Sequence, residues 1–145
     1  MLQPKVCYAA KALSRVVTSG DGALSVRAMA RATGVPEPYL AKIVHDLARR
    51  GLVSTRRGVG GGVTGPRGRH IRDVTLYDLC LALGDPIVET RCLIGEDECS
   101  DQRACPAHAF WSPQRASLLE FLRSTTLRDV AAFEGRAPRA RRKRK

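Results

Sequence analysis

Residues 35–65 read VPEPYLAKIVHDLARRGLVSTRRGVGGGVTG, and the period of their apolar residues changes once, at Gly51. Before it, Leu40, Ile43, Val44 and Leu47 recur at i, i+3, i+4 and i+7, the spacing of a helix that buries one face. The two prolines of PEP suit its first turn. After Gly51, LVSTRRGVGGGVTG reads as a strand, a glycine-rich tip and a returning strand. Arg56, Arg57 and Gly58 fall at that tip, where side chains and backbone can both approach a phosphate or enter a groove.

Upstream, Ser25 can cap a short helix in which Val26, Met29 and Ala30 face inward until Gly34 ends it. Two helices around a tight glycine turn make a helix-turn-helix, and the hairpin after them makes it winged. A longer first helix, VCYAAKALSRVV, precedes the pair, with Val6, Ala9, Ala10, Leu13, Val16 and Val17 on one face. The expected fold is mainly α with a small β-hairpin: a winged helix-turn-helix followed by a long C-terminal dimerisation helix.

Charge divides the chain the same way. Residues 1–72 carry 13 Lys and Arg against three acids, residues 73–135 carry five against 11, and residues 136–145 carry seven and no acid. A polyanion is drawn to the first part and repelled by the second, so double-stranded DNA is the expected partner of the front. Away from the apolar stripe, the third helix presents Glu37, Pro38, Ala41, Lys42, His45 and Arg49. The start of such a helix meets base edges and cations further along meet phosphate. Lys42 and Arg57 are the leading contacts. Tyr39 is either a phosphate contact or packing, and Arg56 and Gly58 complete the set. A solvated helix face competes with this reading for Lys42, His45 and Arg49.

Thr75 and Asp78 have capping-box spacing ahead of a helix that shares Leu76, Leu79, Cys80 and Leu83 on one face, so Cys80 reads as a buried small hydrophobe. A long helix is expected from Pro106 to Arg123, with Ala107, Trp111, Leu118 and Leu122 on a stripe widened by Phe110 and Phe121. That breadth suggests subunit contact as well as core. Thr126 and Asp129 repeat the capping spacing for a last helix. The expected organisation is a DNA-binding domain over 1–72, a ligand loop with dimerisation helices over 73–135, and a disordered basic tail over 136–145.

The loop bounded by Pro86 and Pro106 falls largely within RCLIGEDECSDQRACPAHAFW, residues 91–111, which holds three of the five cysteines and one of the three histidines. Cys92, Cys99, Cys105 and His108 follow C-x6-C-x5-C-x2-H, a complete donor set for tetrahedral zinc or for an iron-sulfur cluster with one histidine ligand. Structural zinc favours close C-x2-C knuckles, so the wider steps tilt modestly toward a cluster. Zinc, a disulfide and a purely structural loop stay open on the residues alone. The acids Glu96, Asp97, Glu98 and Asp101 add negative charge near the thiols, which would favour retention of an oxidised cluster. Five thiols with no disulfide framework, no run of 18 apolar residues and no leader at the start point to a cytoplasmic protein. Phosphate-binding loops and catalytic constellations are missing, so no enzyme is expected. Cys105 with His108 as nucleophile and base would need an orienting group and a cleft.

The winged stretch LVSTRRGVGGGV, the helix TLYDLCLAL, TRC, CPAHAFW and FLRSTTLRDVA together resemble the Rrf2 family of bacterial transcription regulators, over about residues 5–132. The pattern is nearest to the IscR-like iron-sulfur branch. That resemblance implies a homodimer on a palindromic operator, with the late long helix as dimer contact. It also implies a 2Fe-2S cluster on Cys92, Cys99, Cys105 and His108, with repression of nearby promoters, and RNA polymerase as a further partner, governed by cluster supply, redox state or nitric oxide. A related nitric-oxide-sensing branch holds a 4Fe-4S cluster with an acidic ligand where this chain has Tyr8. The first cysteine gap here is x6 where the IscR-like pattern has x5. Pro38 and Ala41 stand where that branch has serine and glutamate, which implies a different operator. A zinc-stabilised nucleic-acid-binding protein that senses nothing is the alternative, and an architectural binder driven by the tail is a further one.

Overall fold

The computed structural model describes residues 1–20 and 22–136 of the chain. Helix α1 spans Pro4–Thr18, with Pro4 in its first turn, and buries Val6, Ala9, Leu13 and Val16. Helix α2, Val26–Thr33, is capped by the Ser25 hydroxyl, which accepts from the Ala28 N–H at 3.1 Å. It stops at Gly34, whose φ of 74° lies in the left-handed region that closes helices. Helix α3, Glu37–Arg49, buries Leu40, Ile43, Val44 and Leu47 as their spacing requires.

The wing is an antiparallel pair, β1 Ser54–Arg56 and β2 Gly62–Thr64, in register Thr55 opposite Val63. Its third partner is announced by no local pattern. Leu24, ahead of α2, exchanges both backbone hydrogen bonds with Val63 at 3.0 and 2.8 Å. The wing is thereby fastened to the body on the side opposite β1.

Helix α4, Leu76–Ala82, begins with the full capping box. The Asp78 N–H donates to the Thr75 hydroxyl at 3.1 Å, and the Thr75 N–H donates to the Asp78 carboxylate at 2.9 Å. Helix α6, Leu127–Arg136, starts with half of that device. The Asp129 carboxylate accepts from the Thr126 N–H and hydroxyl, both at 2.8 Å, while its own N–H bonds the Thr126 carbonyl. The two helix starts lie against each other as a short bridge, with Leu76 N–H on the Thr125 carbonyl at 2.9 Å and Leu127 N–H on the Val74 carbonyl at 2.8 Å. Helix α6 then packs along α1.

One buried cluster therefore runs from Val6 through Leu47 and Ile71 to Leu79, Leu122 and Leu127, continuous across residue 72. Asp85 is 2% exposed yet satisfied: it accepts from the Gln3 N–H at 2.7 Å and the Ile87 N–H at 3.1 Å, tying the start of α1 to the segment after α4. Helix α5 spans His108–Ser124 and carries Pro113 inside it. It buries only Leu119 and Leu122, and the helix it packs on most is α4, helped by Arg123 stacked 4.6 Å over the Tyr77 ring. Arg136, expected to open a disordered tail, is instead the last residue of α6, whose final turns are tied to α1 by Glu134, 3.7 Å from Arg15. The remainder of that expected tail lies outside the described residues. Among the described residues no helix is long and apolar enough to cross a membrane.

Candidate functional site

The candidate residues fall on two separate surfaces. The first is the exposed side of α3 with the wing. Pro38, Ala41, Lys42, His45 and Arg49 are exposed along α3, and Arg56, Arg57 and Gly58 are exposed on the wing. Gly58 has φ of 90°, which turns the chain at the tip. Tyr39 is 41% exposed, and its ring meets Tyr8 edge-on at 5.9 Å, so part of its role is packing α3 onto α1.

Charge on the two halves is handled differently. Every arginine from 91 to 128 is engaged: Arg91 with Glu89, Arg103 with Asp97 at 2.7 Å, Arg115 with the Glu89 carbonyl at 3.2 Å, Arg123 with Tyr77, and Arg128 with Asp73 at 2.9 Å. In the first half Arg15 and Arg69 are paired, with Glu134 and Asp78. Lys42, Arg49, Arg56 and Arg57 have no ion pair among the described residues. Cations that spend no free energy on local partners are the ones available to a phosphate.

The second surface is the cysteine loop. A short bridge between Arg91 and Glu98 shapes it, with Cys92 N–H on the Asp97 carbonyl at 2.9 Å and Cys99 N–H on the Thr90 carbonyl at 2.8 Å. Trp111 and Arg115 of α5 hold its base by donating to the Arg91 carbonyl at 3.4 Å and to Glu89. This folding brings the four expected ligands to one pocket of about 310 Å3 lined by Cys92, Cys99, Cys105 and His108. They sit in two pairs. Cys92 Sγ is 3.4 Å from Cys105 Sγ, and Cys99 Sγ is 3.2 Å from His108 Nδ1. Among the described residues no three His, Cys, Asp or Glu side chains are grouped closely enough to hold a single metal ion as they stand. The backbone of Ile94 and the Cys105 thiol, by hydrogen bonding, lower the Cys92 thiol below its ordinary pKa.

Asp101 is the residue that sequence reasoning undervalued. Its carboxylate lies 2.8 Å from His108 Nε2, while Nδ1 of the same ring lies 3.2 Å from the Cys99 sulfur, so an acceptor at Nε2 favours the tautomer whose Nδ1 lone pair faces that thiol. As one of four nearby acids it looked like diffuse charge. In the fold Asp97 is taken by Arg103 and Glu98 by Thr90, and only Asp101 reaches a candidate ligand. The imidazole also lies against Cys99 and not Cys105. Cys80 is fully buried, away from the loop, and burial with the nearby Asp85 carboxylate pushes its thiol up to about 12, so it stays protonated.

Comparison with known proteins gives the arrangement its context. Residues 2–132 match the family model described as Rrf2, iron-dependent transcriptional regulator. The chain is 28% identical over 130 residues to the HTH-type transcriptional regulator IscR of Photorhabdus laumondii, covering 89% of this chain and 77% of that protein. Among solved structures it resembles CymR, the global cysteine regulator of B. subtilis, at 29% identity and a TM-score of 0.74 over 92% of this chain and 97% of that one. IscR of T. potens shares the fold at 24% identity, with a TM-score of 0.69 over 97% of this chain and 93% of that one. These relatives are transcriptional regulators. The winged helix-turn-helix, the uncommitted cations along it and the match over nearly the whole chain lead to one conclusion: the protein belongs to the Rrf2 family of DNA-binding transcriptional regulators.

Proposed function

We propose that this regulator acts as a homodimer whose affinity for a palindromic operator is set by a 2Fe-2S cluster on Cys92, Cys99, Cys105 and His108. The observation that carries the reading is the convergence of three thiols and one imidazole on a single pocket, in contacting pairs at 3.4 and 3.2 Å. The donor set suits the group: thiolates for iron, and a neutral imidazole whose free nitrogen faces the thiols. Held by those four residues, the cluster would cross-link the loop, and its loss or its destruction by nitric oxide would release that constraint.

The chain's own residues do the rest. Asp101 orients the imidazole, and Trp111 and Arg115 join the loop to α5. Phe110 and Phe121, 67% and 54% exposed, lie 11 residues apart on one face of α5, and such a face is suited to a second copy of the helix. A change in loop order is thus felt at a subunit contact, and through it in the spacing of two α3 helices on DNA. The wing arginines, Lys42 and Arg49 supply contacts to the duplex, and repression follows from occupying DNA that RNA polymerase needs.

Anaerobic purification followed by a visible spectrum and by iron, sulfide and zinc analysis tests the reading. The expected result is two irons and two sulfides per chain, and a difference in affinity between holo and apo protein for operator sequences selected from random DNA. Zinc in place of iron, or equal binding by the two forms, would sink the sensing role and leave DNA binding standing.

A further inference from the structure

A cleft of about 630 Å3 runs between the first turn of α1, one flank of α3 and the end of α4, and its charged lining is Lys5, Lys42, Arg49 and Arg50 with the single acid Asp46. Lys5 and Arg50 belong to no motif. Lys5 is half-buried at the start of α1, and Arg50 is the exposed residue that closes α3. None of the four cations has an ion pair among the described residues, although Asp46 lines the same cleft.

The recognition helix gives a reason to look there. Pro38 and Ala41, near its start, have no side-chain hydrogen-bonding group, so they read base edges only by apolar contact. Binding free energy has to come from elsewhere, and cations beside the helix are the available source. Lys42 and Arg49 are two helical turns apart, about 10 Å. Over that span duplex DNA presents several phosphates, at one charge per roughly 1.7 Å of axis.

We propose that this cleft seats the phosphodiester backbone of duplex DNA beside the groove that α3 enters, with Lys5 and Arg50 as phosphate contacts in addition to Lys42 and Arg49. The inference rests on the DNA-binding function of the family and extends the interface to the start of α1. The cleft fixes how the duplex is held against the body and carries no sequence information. Discrimination is left to α3 and the wing.

The test uses the full chain and a labelled mixed-sequence duplex of more than two helical turns, titrated by fluorescence anisotropy across a KCl series. Each substitution removes two contacts from a bound dimer, so Lys5→Gln and Arg50→Gln each reduce the magnitude of the slope of log affinity against log salt by about 1.8, and the double variant by about 3.6. Lys5→Arg keeps the wild-type slope. Lys11→Gln, on α1 outside the cleft, also keeps it. Should Lys5→Gln lower the melting temperature, Arg50→Gln on the solvent-exposed end of α3 carries the test. Wild-type slopes in a folded double variant overturn the proposal. So does stabilisation of the wild type, but not of the double variant, by millimolar inorganic phosphate together with unchanged slopes, because the cleft would then be a small-anion site. Failure of the wild type to bind any duplex would count against DNA binding itself and is distinguishable from both.

Discussion

Gly62 shows why the glycine run of the wing has the composition it has. Four glycines in five positions read from sequence as a supple tip, but Gly62 has φ of 141°, and a Cβ there would lie 2.7 Å from the carbonyl carbon and oxygen of Leu24. The constraint comes from a strand-like contact 38 positions upstream in the chain, which no local pattern announces. Gly62→Ala should therefore lower stability by about 1–3 kcal/mol, from backbone strain and from displacement of the Leu24 bridge. Urea unfolding would register it as a lower midpoint with unchanged slope, and an unchanged midpoint would show that the wing is not fastened there. The same limit on local reading explains Asp101. Its spacing to His108 is visible in the sequence, yet only the 3-10 turn at Asp101–Arg103 aims its carboxylate at the ring.

At the scale of elements, the helix starts were legible because a capping box is a short-range device, and the α4 box formed in full. Its electrostatics yield a pH prediction. Partial burial of Asp78 opposes ionisation, but the Thr75 N–H and hydroxyl and the Arg69 guanidinium outweigh it and hold the carboxyl below its ordinary value of 3.8. A group with a depressed folded pKa contributes stability that is present above its unfolded value and lost as pH falls through the folded one. Thermal melts should show Asp78→Asn less stable than wild type near neutral pH, with the difference shrinking below about pH 4. A constant difference down to strong acid would assign the effect to lost packing instead. Helix α5 was legible in extent but not in partnership, since an apolar residue looks alike in a core and at an interface. Of its expected apolar face, Leu122 is buried while Phe110 and Phe121 stand exposed. If that face meets a second copy, Phe121→Asp should weaken self-association by about 2 kcal/mol or more, roughly 30-fold. Light scattering would then report the 15.8 kDa chain where wild type shows twice that mass.

Over the whole molecule, the charge partition is the property that sequence conveys most directly, since counting needs no geometry. What the fold adds is which cations are already engaged: the arginines from 91 to 128 have partners, and Lys42, Arg49, Arg56 and Arg57 have no ion pair among the described residues. The site was legible as a donor list, and its pairing was not, because the order of ligands around the pocket depends on how the loop doubles back at Arg91 and Glu98. Basic residues beyond α6 raise the question of whether they or the folded face read DNA. Residues 137–145 hold six cations and no acid, so they add attraction to any phosphate without distinguishing one base pair from another. Deleting them should weaken binding to a selected operator and to mixed-sequence DNA by the same factor and flatten the salt dependence of both. If discrimination resides in α3 and the wing, the ratio of the two affinities stays fixed. Anisotropy titrations of both duplexes decide it. A ratio that collapses with the deletion would place recognition in those residues and demote the winged helix to a scaffold.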